Sequence, residues 1–239
     1  MSLAKLPLRV ATVLALRGRT WAGQAVFDSS IVPLEAKVKD TDGHPLLVVY
    51  TDDSRSDASG PEQRDLTGLP AAVDLVIHAA VAVGFQGTEA GETISVARTD
   101  AGFEAQLDVI EAQVVRALQR GEDPWCELWR AFARARGGVR TRRGASARKG
   151  TRFAAREIIL PVSVVADPLG TGPEYPWSLA IDQFAAYPDT SDIAAVLQGF
   201  VAADDAPEWL RDYRTLGMDA ATARSLAFAA ADGEILTWI

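Results

Sequence analysis

The sequence is poor in the residues that most often carry chemistry. It holds one cysteine, Cys126, and two histidines, His44 and His78, in 239 residues. A single cysteine excludes an internal disulfide, which fits a reducing compartment. Neither histidine has a second histidine or a cysteine at metal-ligand spacing, so no zinc-type motif is present. No run approaches the roughly 20 uncharged apolar residues needed to span a bilayer, so no membrane partner is expected. There is no Gly-x-Ser-x-Gly elbow, no Ser-x-x-Lys pair and no nucleotide fingerprint. The segment GTGPEY at 170–175 has two close glycines, but no Lys-Ser/Thr pair follows and Pro173 would interrupt a helix start. The N-terminal MSLAKLPLRVATVLALRG resembles a secretion signal in part. Arg9 breaks its apolar run and no small-residue cleavage site follows, so a soluble, unprocessed chain is expected.

What is present is ordinary for a globular chain: 48% hydrophobic and 23% charged residues. The net charge of −8 argues against a dedicated nucleic-acid binder. Its distribution is uneven. Residues 1–129 carry 11 Lys/Arg against 19 Asp/Glu, 130–156 carry ten positive charges and no acid, and 157–239 carry three Arg against 13 acids. A basic block between two acidic zones invites pairing inside the molecule or between copies of it.

Periodicity predicts a short helix over 6–16, an extended piece over 25–30 and a turn at 40–43. A strand follows over 46–51, then a long exposed loop over 52–70 and a second strand over 72–85 with His78 on its polar face. Phe103, Leu107, Ile110, Val114 and Leu118 recur at helical spacing and predict a long helix over 101–119, with Gly121 as its stop. A shorter helix is predicted over 125–136 and a strand over 155–165. The order predicts an α+β fold: a small, mainly antiparallel sheet packed with one long and one or two short helices. After Pro168, prolines 173, 176 and 188 read as a linker, followed by short alanine-rich helices at 192–203, 207–214 and 219–231. The expected division is therefore a core, 1–167, and an acidic helical extension, 168–239.

The candidate functional residues are few. His78 reads as a tolerated polar position on an exposed strand face, and Cys126, between Trp125 and Trp129, as a packed thiol. Asp52, Asp53 and Asp57 could hold a divalent cation in an unrecognised hydrolase, but they lack the glycine and terminal glutamate of a calcium loop. A solvated loop fits them better, and with Arg55 they form a candidate docking loop. The basic block stands out most. Arg140, Arg142, Arg143, Arg148, Lys149 and Arg152 are flanked by glycines and read either as a solvated hairpin arm or as an extended, mobile arm that orders on docking. No aromatic residue interleaves with Arg140 to Arg152, so base stacking is not indicated. The arm would reach an acidic neighbouring subunit or DNA phosphates; the acidic excess of 157–239 favours protein. No acid–base constellation is visible, so the chain is read as non-enzymatic and without a cofactor.

The N-terminal helix, then Val26-Phe27-Asp28-Ser29-Ser30-Ile31-Val32-Pro33-Leu34, then Pro45-Leu46-Leu47-Val48-Val49-Tyr50-Thr51-Asp52-Asp53, resembles the start of the tail-terminator proteins of long-tailed bacteriophages. The resemblance continues through a variable loop, the long strand 72–85, the long helix 101–119 and the closing strand 155–165, and covers residues 6–167. Residues 168–239 depart from it. The resemblance implies a structural virion protein of the neck, made in the bacterial cytoplasm. Such a protein forms a homohexameric ring on the major tail tube protein, stops tube growth and meets the head-tail connector protein. Genomic DNA would pass through the ring. The family lends no catalytic residues. The alternatives are another neck component, such as a head-completion or connector protein, and a DNA-binding protein using 139–156.

Overall fold

The segments of period-two apolar spacing form the middle of one sheet. The structure, a computed structural model, describes residues 2–29, 44–55, 71–84, 100–148, 151–168 and 173–201. It divides into two units, Met1–Asp167 and Pro168–Ile239. The expected turn at 40–43, the loop positions 56–70 and the helices at 207–214 and 219–231 lie outside the described residues.

In the first unit, strands β1 (Val26–Asp28), β2 (Leu46–Arg55), β3 (Ala71–Gly84), β4 (Ala133–Arg136), β5 (Arg140–Arg148) and β6 (Thr151–Val164) form a six-stranded sheet. Its order is β1-β2-β3-β6, with β4 and β5 both pairing the far edge of β6. Only β1 and β2 run parallel, so the sheet is mainly antiparallel. The unit also has helices α1 (Lys5–Leu16), α2 (Asp100–Arg120) and α3 (Pro124–Phe132). The fold is α+β, as the sequence predicts.

The odd-numbered residues of β3 from Val73 to Val81 are all buried, which sets the face turned to the helices. Against it α2 buries Phe103, Leu107, Ile110, Val114, Ala117 and Leu118, the face its spacing defines. Proline at the first turn and Asp123, whose carboxylate accepts the Trp125 N–H at 2.8 Å, start α3. Arg130 of α3 reaches back and donates to the Gly121 carbonyl at 2.8 Å, closing the C-terminus of α2. The N-terminus of α1 is capped from far away. Asp167, just past β6, accepts from Ser2 Oγ at 2.8 Å and from the Leu3 and Ala4 N–H groups at 3.1 and 3.3 Å.

Four expectations need correction. The helix predicted over 125–136 stops at Phe132, because Ala133–Arg136 pairs with β6 as β4. The predicted loop begins late: Asp52–Arg55 still belongs to β2 and pairs with β3 across a bulge. The basic arm is a strand. Arg140–Arg148 pairs with β6 residue by residue from Ile159 to Thr151, so β4, β5 and β6 form one long hairpin. A bulge at Gly137–Val139 faces Pro161, and the Gly137 N–H donates to the Pro161 carbonyl at 2.8 Å. Finally, the predicted linker contains a helix. In the second unit α4 (Trp177–Ala185) precedes α5 (Ser191–Val201), and Trp177, Ala180, Ile181 and Phe184 of α4 are buried at helical spacing. Pro176 and Pro188 bracket α4 rather than mark an open linker. Among the described residues no helix is long and apolar enough to cross a membrane.

Candidate functional site

Strand pleating sends the charges of β5 and β6 to both faces of the sheet, where Arg140, Arg142, Arg143 and Arg156 meet acids of the same chain. On the helix face, Arg156 of β6 is the hub. Its guanidinium lies 2.8 Å from Glu104, 2.5 Å from Asp108 and 2.9 Å from Glu111. These three acids fall on one flank of α2, and Arg156 keeps only 14% of its side-chain exposure. Burial opposes the charged form of Arg156, but the hydrogen bonds its guanidinium donates to Asp108, Glu111 and Glu104 together raise its pKa above the ordinary arginine value. Arg143, beside Arg156 in register, adds a bond to Glu104 at 2.7 Å but is 65% exposed.

On the opposite face a row crosses four strands. Val48, His78, Glu157 and Arg142 are cross-strand neighbours in turn, with Tyr50 diagonal to His78. His78 Nε2 lies 2.9 Å from Tyr50 Oη and 3.0 Å from Glu157 Oε1. Because an ionised carboxylate only accepts, a hydrogen bond from Nε2 to Glu157 requires the Nε2-protonated tautomer. The Tyr50 and His78 rings meet edge to face at 5.1 Å. Burial, then the charges of Glu157 and Asp52, push the Tyr50 phenol up to about 12. Arg142 stands 3.7 Å from the other Glu157 oxygen. Two rows further on, Asp52 and Asp74 face each other across β2 and β3. Like charges in that position repel. Arg140 reaches over β6 to Asp74 at 2.7 Å and offsets the repulsion.

Of the six arm residues, the structure thus places Arg140, Arg142 and Arg143 in ion pairs within the chain. Lys149 lies outside the described residues, as do the side chains of Arg148 and Arg152. Of the docking-loop residues, Asp52 and Arg55 are exposed at the end of β2; the Asp53 side chain and Asp57 lie outside the described residues. Among the described residues no group of three His, Cys, Asp or Glu is placed to hold a metal ion. His78 is half-buried at 27% exposure and engaged on both sides, not a bystander on an open face. Its strand position gave no warning of this; the signal lay in three segments far apart in sequence. Cys126 is buried under the turn that joins α2 to α3. Burial first, and Asp123 second, push its thiol up.

An apolar groove runs between α2 and the hairpin, lined by Leu118, Trp129, Val139, Leu160 and Pro161 among others. No ionisable residue lines it, and none of the His78 group opens onto it. A comparison with protein families found no family model that matches the chain, and one with curated proteins found no match either.

Proposed function

We propose that the chain is a structural ring protein of a phage neck, a tail terminator that caps the tail tube and meets the head-side connector. The observation that carries this reading is the element order of the first unit. A helix, a short strand beginning Val26-Phe27-Asp28, a strand after Pro45, a long strand, a long helix and a closing strand occur in the order the resemblance implies. The hairpin strands β4 and β5 precede the closing strand and have no counterpart in the order the resemblance implies. In this reading the partners are further copies of the chain, the major tail tube protein and the head-tail connector protein, with DNA passing through the ring. Electron microscopy of tails carrying a labelled chain tests it. A six-fold ring at the head-proximal end of the tube is expected; a monomer absent from virions would overturn the reading.

A further inference from the structure

The two edges of the sheet are finished very differently. Val26 of β1 turns its N–H and C=O away from β2, since Ala25 and Ser29 make the bonds to Leu47 and Val49. Both groups are met within the chain: the Val26 N–H donates to the Gln24 carbonyl at 2.8 Å, and the Val26 carbonyl accepts from the Arg17 guanidinium at 3.2 and 3.3 Å. That part of the edge is closed. Beyond Val49, where β1 ends, no strand among the described residues pairs with the outer side of β2, and this stretch carries Asp52 and Asp53. At the far edge no described strand pairs with the outer side of β5. Residues 139–144 are all exposed, on both faces, and Arg140, Arg142 and Arg143 keep 57, 72 and 65% of their side-chain exposure. Its second half, Gly144-Ala145-Ser146-Ala147, is small. A long strand edge of this kind is a template for another strand unless something guards it.

We infer that β5 of one copy pairs with β2 beyond Val49 of the next copy, so that one sheet continues from subunit to subunit. This rests on the homo-oligomeric reading above and names the surfaces it uses. Charge selects the pairing. Two β5 edges laid antiparallel about Gly144 would set Arg140 against Arg148, and two β2 edges would set Asp52 and Asp53 near their own kind. The basic edge against the acidic edge is the favourable combination. Direction agrees. Strands β2, β3, β6 and β5 alternate in direction, so a head-to-tail repeat brings β5 against the next β2 antiparallel. Unlike edges on one chain make a heterologous contact, which closes as a ring when the rotation permits. Arg140 is level with Tyr50, and the open parts of β5 and β2 extend from that level in opposite directions. Successive copies therefore meet with their strands inclined to the ring axis, as in any closed sheet.

Two measurements on the full chain test this. Consecutive strand residues aim their N–H groups to opposite sides, so of Ala145→Pro and Ser146→Pro one removes a bond to β6 and the other only an outward donor. The variant that keeps the wild-type unfolding midpoint should associate about tenfold more weakly or worse in native mass spectrometry. Separately, Ser54→Cys and Ser146→Cys combined in one chain, treated with a short bismaleimide, should give a ladder of covalent oligomers. On one copy these positions register with Val162 and Phe153 of β6, about 30 Å apart along the strand, too far for an internal bridge. A variant with only one of the two added cysteines should stop at dimers, since the native Cys126 is buried. An oligomer with unchanged association in both proline variants and no ladder overturns the edge pairing and leaves the ring reading standing. A wild-type chain that stays monomeric at high concentration removes both.

Discussion

Arg156 and Arg143 both bond Glu104, yet burial separates their energetic roles. Arg156 is largely withdrawn from water and is the common partner of three carboxylates, whereas Arg143 is mostly solvated. Arg156→Gln leaves Glu104, Asp108 and Glu111 facing one another without a cation, and is expected to cost about 2 kcal/mol in urea unfolding. Arg143→Gln is expected to cost less than about 0.5 kcal/mol, because an exposed pair gains little over hydration. Equal losses for the two would refute burial as the deciding variable. Tyr50 carries a pH signature. Its phenol is raised from 10.0 to about 12 in the folded chain, so the unfolded chain releases that proton first as pH rises. The contribution is whole below pH 10 and is lost between pH 10 and about 12. A Tyr50→Phe chain should show a shallower fall in its urea midpoint over that window; parallel curves for the two proteins would rule out the effect.

Between the elements, the α2–α3 corner leaves no room for a side chain at Gly121. A Cβ at Gly121 would collide with the Cys126 sulfur and stand 2.5 Å from the Ala117 carbonyl. Gly121→Ala is therefore expected to destabilise by about 1–3 kcal/mol. Adding Cys126→Ala should recover only part of this, since the carbonyl remains; full recovery would show that the sulfur alone sets the limit. Elements of this kind were the legible ones. The face of α2, the alternation of β3 and the stop at Gly121 are local patterns, and packing reinforces them. A hairpin arm was one reading of the basic block, but its ion pairs were illegible because Arg140, Arg142 and Arg143 look like solvent-facing charges until Asp74, Glu157 and Glu104 arrive from distant segments. Helix α4 was hidden by a different ambiguity: prolines at 176 and 188 punctuate equally well a linker or the ends of a helix. The candidate site suffered most. Its members sit on β2, β3, β5 and β6, and only register brings them into one row.

For the molecule as a whole, the long-range bonds of Asp167 matter more than their number suggests. Its carboxylate serves the first turn of α1 from the far end of the first unit, so Asp167→Ala should lower stability by about 1–2 kcal/mol, while Asp167→Asn should retain a good part of it. A thermal unfolding series on the two variants decides this; indifference to both would mean that water replaces the carboxylate without loss. The clasp also means that residues 2 and 167 are held within a hydrogen bond of each other. The first unit thus ends beside its own start before the chain continues into the second unit at Pro168. In residues 1–167 taken alone, joining the two ends by a short glycine-rich link and opening the chain between Arg148 and Thr151 should give a permuted unit that rebuilds the same sheet. The order in which these strands are strung is then separable from the structure they make.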